Sequence, residues 1–208
     1  HGCICRIQFT ILMKSVYNFV VKPLGERYNN TKDVDGSELI LNTEIYSHQY
    51  VNRLAKVIST PIIGKTDIQV GDIVVVHHNV FRRWNDVHGV ERNSKSYFDE
   101  NTYIIDTDQI FLYKRKNKWS APKGYCFVKP IESIDKLNIE VEKPLMGIVE
   151  YSDGTVDKND LVGFRPSSEY EFIIDGQKLY RVFSHFITIK YEYQGNEKEY
   201  NPSWTQSS

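Results

Sequence analysis

Short apolar runs separated by turn-forming residues recur along the chain, and no stretch of about eleven residues keeps a helical period. The runs are rich in Val, Ile, Phe and Tyr, which are the residues favoured in strands. They predict strands at residues 16–21, 54–59, 73–76, 103–105 and 109–113. Short strands with turns between them predict an all-β fold, in the form of a small barrel or sandwich.

One long polar stretch interrupts this pattern and carries a short aliphatic motif. Leu39, Ile40 and Leu41 stand among turn-forming residues, and Gly36 with the Asp before it discourages regular structure there. Large aliphatic side chains in a flexible segment are a poor core element and a good candidate for ordering on a partner. We therefore predict a mobile docking loop at about residues 30–52. The competing interpretation is that the motif is another core strand.

The hydrophobic pattern of the first half begins again after residue 124. Four segments recur in order: 19–24 at 126–131, 56–58 at 147–149, 70–74 at 158–162, and 108–112 at 185–189. The offset falls from 107 to 91, 88 and 77 while the order is kept. The sequence therefore predicts a tandem repeat whose second copy has shorter loops, and the first shortening, of 16 residues, removes most of the excursion that carries the aliphatic motif.

The repeat sets the predicted domain boundaries. A basic stretch that ends in Pro and Gly separates the copies, and a polar, Tyr-rich stretch follows the second one. Two of the three Cys lie before Met13, which we take as the natural start. The predicted parts are a non-native or disordered extension (1–12), a first barrel (13–114), a linker (115–124), a trimmed second barrel (125–191) and a flexible tail (192–208).

Composition narrows the classes of partner. Lys and Arg number 26 against 27 Asp and Glu, so there is no general basic field for nucleic acid or an anionic membrane. No run approaches the length of about 18 apolar residues that a membrane span needs. Three Cys form no disulfide framework and indicate a reducing compartment. We therefore expect a cytoplasmic protein that binds neither membrane nor nucleic acid.

Candidate catalytic and metal-binding residues are few. His77, His78 and His88 have no Cys or carboxylate at a recognisable ligand spacing, so we expect no metal. The sequence lacks a phosphate-binding loop, a nucleophile elbow and a paired-carboxylate pattern, so we expect no enzyme activity and no cofactor. Residues 81–84 mix aromatic and cationic side chains, which could stack single-stranded nucleic acid, but the neutral net charge favours a rim or subunit contact.

Five segments of the first copy, taken together and in order, carry a family resemblance. They are residues 19–24, 36–41, 56–58, 69–75 and 108–112. They resemble, in turn, the opening strand, the mobile-loop motif, the following strand, the V-G-D-x-V strand entry and the final strand of the GroES family of ten-kilodalton co-chaperonins. The resemblance covers residues 16–113, and the second copy matches more weakly over 125–191.

This resemblance implies two tandem GroES-like small irregular β-barrels, self-association into a ring, and a partner of the GroEL type. Gly36 would act as the pivot of the loop, and Leu39, Ile40 and Leu41 would dock on the apical domains of the chaperonin during ATP-dependent folding. The chain departs from the family in three respects. Residues 59–65 are shorter than the usual roof hairpin, as in phage-encoded co-chaperonins, which would place the protein in the host cytoplasm. Residues 79–101 are longer than usual, and the tandem copy is unusual. The open alternatives are a virion or assembly protein that reuses the barrel and a single-stranded nucleic-acid-binding barrel.

Overall fold

The computed structural model describes residues 14–25, 31–34, 37–40, 52–134, 140–192, 195, 197–203 and 205, and it is built from strands. The first half contains β1 (Phe19–Pro23), β2 (Thr31–Val34), β3 (Ser37–Ile40), β4 (Leu54–Ser59), β5 (Ile73–Val76), β6 (Arg83–Asn85), β7 (Glu91–Asn93), β8 (Tyr97–Asp99), β9 (Thr102–Ile105), β10 (Ile110–Arg115) and β11 (Lys118–Ser120). The second half contains β12 (Tyr125–Ile134), β13 (Glu140–Ser152), β14 (Leu161–Phe164), β15 (Glu169–Ile174), β16 (Gln177–Phe183) and β17 (Ile187–Tyr191). The predicted all-β class is confirmed. In the part of the chain that is described, no helix has the length and apolar character needed to cross a membrane.

Two large antiparallel sheets hold most of the strands. The first sheet has the order β11-β10-β5-β4-β1-β9-β8, and the second has the order β15-β16-β12-β13-β14-β17. The hairpins β2–β3 and β6–β7 form separate two-stranded sheets. Within the described residues neither large sheet closes on itself, so the barrel form of each unit stays a prediction.

Six strands of the first sheet correspond to the six strands of the second, and β11 is the extra strand of the first. The order β8-β9-β1-β4-β5-β10 in the first sheet matches the order β15-β16-β12-β13-β14-β17 in the second. The register agrees as well, because Val21 faces Val57 and Tyr103 where Val128 faces Val149 and Tyr180. A short 3₁₀ turn precedes the last strand of each unit, at Thr107–Gln109 and at Ser184–Phe186. We refer to residues 14–120 as the first unit and to residues 121–191 as the second unit.

Irregularities of pairing fall at the same places in both units. The β1–β4 ladder shifts between Val20 and Val21, and the β12–β13 ladder shifts at the equivalent Phe127 and Val128. The shared register places Val149, rather than the predicted Ile148, at the position of Val57. The sequence alignment of β4 with β13 was therefore wrong by one residue. Such a slip matters, because it exchanges the two faces of a strand.

The turn that leads into β5 is repeated before β14. Its last residue is Asp72 in the first unit and Asp160 in the second, preceded by a residue in the left-handed region. Each carboxylate accepts a hydrogen bond from a backbone amide three residues earlier, at 2.8 Å and 2.9 Å. Each also pairs with a basic residue near the end of the unit, Asp72 with Arg115 at 2.6 Å and Asp160 with Lys190 at 2.7 Å. The carboxylate thus ties the turn to the strands at the end of each unit.

The pKa of Asp72 makes this turn sensitive to acid. Burial alone would raise the pKa, but the hydrogen bonds from Arg115 and from the Gln69 amide outweigh it and hold the pKa below its usual range. A depressed pKa stabilises the fold above the unfolded value of about 3.9, and this contribution is lost as the pH falls through the folded pKa.

Replacing Asp72 by Asn is therefore expected to lower the free energy of unfolding at pH 7 by about 1–3 kcal/mol, because the Arg115 guanidinium and the Gln69 amide lose a charged acceptor whose side chain is only 5% exposed. The difference from the parent protein should shrink as the pH falls below about 4. Urea unfolding at pH 7 and at pH 3 measures both effects. Asp157→Asn is the control, since the Asp157 side chain is 92% exposed and should change stability little. An Asp72→Asn effect as large at pH 3 as at pH 7 would contradict this account.

The range predicted as a linker contains a strand. In β11, Lys118 pairs with Arg115 of β10, and the two residues between them, Lys116 and Asn117, have positive φ values of 47° and 63°. Positive φ at both central residues is the requirement of the tight hairpin turn that matches strand twist. The side chain of Trp119 is buried, and its Nε1 donates to Asp175 Oδ2 of the second unit at 2.8 Å. The two units are therefore joined by packed structure as well as by chain.

A shared hydrophobic cluster lies between the two units. Its centre is Phe111, which is fully buried and packs edge-on against Phe172, with ring centroids 5.4 Å apart. The first unit contributes Val75, Phe111, Leu112 and Trp119, and the second contributes Tyr125, Phe127, Phe172, Ile174 and Leu179. Each unit has its own core in addition, around Phe19, Val57 and Tyr103 in the first and around Val128, Val149 and Val162 in the second. We call the shared set the inter-unit cluster.

Part of the range predicted as a flexible tail packs on β12. The Tyr200 backbone amide donates a hydrogen bond to the Pro130 carbonyl at 2.9 Å, and the Glu132 amide donates to the Lys198 carbonyl at 2.7 Å. Glu199 also pairs with Lys129 at 2.7 Å, and Thr205 is fully buried. These contacts fix residues 198–200 along the strand, so the prediction of a loose tail is wrong there. The predicted extension 1–12 lies outside the described residues.

Candidate functional site

The excursion that carries the aliphatic motif begins and ends at one point of the first sheet. Pro23 of β1 pairs with Ala55 of β4, and the Leu24 amide donates a hydrogen bond to the Leu54 carbonyl at 2.9 Å. Asn52, which is only 6% exposed, adds two bonds: its amide donates to the Leu24 carbonyl, and its carbonyl accepts from the Leu54 amide at 2.9 Å. The base of the excursion is thus held closed by backbone pairing and by one buried side chain.

Within the excursion, β2 and β3 form a hairpin. Thr31 pairs with Ile40, and Lys32 pairs with Leu39, so two of the predicted site residues lie in β3. The other two, Gly36 and Leu41, lie outside the described residues. Irregular structure was predicted on both sides of Gly36, and this was wrong for residues 31–34 and 37–40. Asp-Gly is a dipeptide typical of tight hairpin turns, but the flanking segments lack the alternating hydrophobic residues that strengthen this signal.

The β2–β3 hairpin stands apart from both large sheets. Among the described residues it pairs with no other strand, and its two strands have four residues each. A lone two-stranded hairpin is marginally stable in water and gains stability by packing against something else. The hairpin therefore presents Leu39 and Ile40 on an element that can gain order from a partner.

Among the described residues, the second unit shows no separate two-stranded sheet at the equivalent connection. There the ladder between β12 and β13 continues outward, with Glu132 opposite Glu142 and Ser133 opposite Val141. The chain between Pro130 and Gly147, which are paired, covers only residues 131–146, whereas residues 24–54 lie between Pro23 and Ala55. In the described structure the β2–β3 hairpin thus distinguishes the first unit from the second, as the β6–β7 hairpin and β11 also do.

Replacing Asn52 by Ala is expected to lower the free energy of unfolding by about 1–3 kcal/mol, because at least two hydrogen bonds at a buried position are lost. Hydrogen exchange of the Leu24 amide, which donates to the Leu54 carbonyl, and of the Leu54 amide, which donates to Asn52 Oδ1, should become faster. Urea unfolding and exchange measured by mass spectrometry report these effects. Asn101→Ala is the matched control at an exposed turn. Unchanged exchange at Leu24 and Leu54 would show that Asn52 does not hold the base.

The cationic and aromatic residues at 81–84 do not form a common exposed surface. Phe81 is fully buried against Tyr103, with ring centroids 4.7 Å apart. Arg83 pairs with Glu91 across the β6–β7 hairpin at 3.2 Å, whereas Trp84 is 37% exposed. The stretch thus divides between core and hairpin, which weakens its case as a stacking surface for bases.

His77 and His78 lie where the two units meet. Their ring centroids are 4.3 Å apart, and His78 Nδ1 is 2.6 Å from the hydroxyl of Tyr170 in the second unit. Among the described residues no group of three His, Cys, Asp or Glu is arranged to hold a metal ion. The pair therefore connects the units, a contact that no spacing in the sequence signals.

No model of a known protein family matches the sequence, and no curated protein matches it. The resemblance of the first unit to the GroES family therefore rests on its ordered motifs alone.

Proposed function

We propose that the protein is a co-chaperonin of the GroES type, which caps a chaperonin ring and assists ATP-dependent protein folding without being an enzyme. The observation that carries the proposal is the β2–β3 hairpin, which belongs to neither large sheet and, within the described ranges, has no counterpart in the second unit. It bears Leu39 and Ile40 of the aliphatic motif, and Asn52 holds the ends of its excursion together. In this proposal Gly36, Leu39, Ile40 and Leu41 form the chaperonin-binding segment.

The energetics of such a segment suit a lid that must bind and release. Burying three aliphatic side chains contributes roughly 4–9 kcal/mol before costs. Ordering each flexible residue costs about 1 kcal/mol or more, so a single hairpin binds weakly. Several hairpins on one assembly bind strongly together, because contacts after the first become intramolecular. We therefore propose that the protein acts as a ring of GroES-like barrel units.

An exposed apolar surface beside the first sheet supports self-association. It consists of Val16, Tyr17, Ile62 and Ile63, which are 48%, 70%, 64% and 55% exposed. Backbone hydrogen bonds hold its two segments side by side. The Ile62 amide donates to the Ser15 carbonyl at 3.1 Å, and the Ile63 amide donates to the Val16 carbonyl at 3.0 Å. Contiguous exposed apolar side chains mark contact surfaces. This surface favours a multi-subunit assembly in both the co-chaperonin and the assembly-protein alternative.

Association with a chaperonin ring tests the proposal. The full chain is mixed with a GroEL-type ring in the presence of ATP, of ADP or of no nucleotide, and sedimentation measures the bound fraction. We expect nucleotide-dependent binding, with slower hydrogen exchange in the complex at the amides of residues 31–34 and 37–40, where an isolated hairpin exchanges quickly. Self-association without any ring binding would favour the assembly protein instead.

A further inference from the structure

A second feature of the molecule is a cleft between the two units, distinct from the hairpin. Its volume is about 330 Å³, and both units contribute to its wall. The first unit supplies His77, Asn79 and Asp108, and the second supplies Tyr125, Arg181 and Phe183. Clefts at the junction of two units, with convergent polar groups, are frequent ligand sites.

Arg181 is the central charged group of the cleft. Its guanidinium carbon lies 3.7 Å from the centroid of the Tyr125 ring and 4.2 Å from that of Phe111, so aromatic rings hold it in place. Among the described residues its one hydrogen bond goes from Nη2 to the Asp108 carbonyl at 2.7 Å, and its Nε is buried without a partner. No carboxylate there forms an ion pair with it.

A second guanidinium adds positive charge behind the cleft. Arg53 lies with its guanidinium carbon 5.5 Å from the Phe111 ring centroid, and its Nη2 donates to the Tyr170 hydroxyl at 3.3 Å. It too forms no ion pair with a carboxylate of the described residues. Burial lowers the pKa of both guanidinium groups, Arg53 and Arg181, because it disfavours the charged form. Charged groups inside proteins are normally paired, and a bound anion would supply the partner that these two groups lack among the described carboxylates.

His77 lies in the wall of the cleft and is held as one neutral tautomer. Its Nδ1 accepts a hydrogen bond from the Asn79 amide at 3.1 Å, which leaves the proton on Nε2. Burial lowers its pKa, the charges of Arg53 and Arg181 lower it further, and Asp108 opposes them. Asp108 is exposed, and its negative charge would repel an anion. The two positively charged guanidinium groups outweigh this single charge.

We infer that this cleft binds a small anionic ligand through a phosphate or carboxylate group. Arg181 makes the principal charged contact, and His77 Nε2 and the side-chain amide of Asn79 donate to the same group. Tyr125 and Phe183, with ring centroids 4.8 Å apart and Phe183 41% exposed, form an apolar wall for the rest of the ligand. Because the cleft is made by both units, the ligand would stabilise their contact.

Titration of the full chain with inorganic phosphate and, separately, with acetate tests this inference. Chemical shifts of the His77 ring are followed by NMR at constant ionic strength. Saturable shifts with phosphate alone identify a phosphate site, and saturable shifts with acetate identify a carboxylate site. Binding should raise the pKa of His77, since an added negative charge favours the protonated ring. Absence of saturable shifts with both anions overturns the inference.

Two variants test the contacts. Asn79→Asp adds a negative charge at an exposed position of the cleft, and it should weaken anion binding about fivefold or more without altering the melting temperature. Asn101→Asp, at an exposed turn outside the cleft lining, is the matched control and should bind as the parent does. Arg181→Gln should abolish binding, and Asn79→Asp keeps the test decisive if Arg181→Gln fails to fold. Equal anion affinity in Asn79→Asp and the parent overturns the inference.

Discussion

Phe111→Ala is expected to lower the free energy of unfolding by about 3–5 kcal/mol, the range for deleting a buried aromatic ring. Phe111 is fully buried at the centre of the inter-unit cluster. Its ring packs edge-on against Tyr170 and Phe172, with centroids 5.1 Å and 5.4 Å apart. The guanidinium of Arg181 lies over the same ring. The substitution therefore opens a cavity lined by both units. It also removes the aromatic ring that packs against the Arg181 guanidinium.

Urea unfolding followed by fluorescence and by circular dichroism measures this loss. Phe98→Ala is the control, because Phe98 is 59% exposed, and it should change stability by about 0.5 kcal/mol or less. The parent protein should unfold in one transition, since the inter-unit cluster makes each unit depend on the other. A loss below about 1 kcal/mol for Phe111→Ala would show that the ring matters less than its burial indicates.

Leu39→Asp combined with Ile40→Asp is expected to abolish ATP-dependent binding to a chaperonin ring. Each aliphatic side chain contributes about 1.5–3 kcal/mol when it is buried, so two losses reduce the affinity of one hairpin more than a hundredfold. The effect multiplies across the hairpins of an assembly, because their binding is collective. Fold stability should change little, since the β2–β3 hairpin pairs with neither large sheet in the described structure.

Sedimentation with the ring, with and without ATP, measures the binding. Val87→Asp is a useful control, because Val87 is 95% exposed in the turn between β6 and β7 and lies outside the proposed segment. This variant should bind as the parent protein does. Full ATP-dependent binding by the Leu39 and Ile40 double variant would contradict the proposed docking role of the motif.

Local pattern was enough to find the principal strands. Predicted strands at 54–59 and 73–76 coincide with β4 and β5, because short apolar segments with β-branched residues, bounded by turns, have few alternatives. Residues 16–18 were predicted as strand and lie outside β1, which begins at Phe19. The edge is set by pairing with β4 and β9 rather than by the propensity of the segment.

Features that depend on contacts between distant residues could not be predicted. The sequence alignment of β13 was wrong by one residue, because Ile148-Val149 resembles Val57-Ile58 in composition and only the pairing with β12 fixes the register. Strand β11 was hidden in a basic stretch, since its turn depends on left-handed conformations at Lys116 and Asn117. The cleft was missed for a related reason: His77 and Arg181 are far apart in sequence and meet only when the two units pack.

The matched bulges have a historical consequence. Bulges at equivalent positions of β4 and β13 carry different extra residues, Ile58 and Glu150, so each is retained by the pairing of its unit. We infer that an ancestral gene encoding one unit was duplicated and fused. After fusion, the connection between the paired strands could change in length in one copy independently of the other. The contact between the two copies could then change under selection independently of the internal structure of either unit.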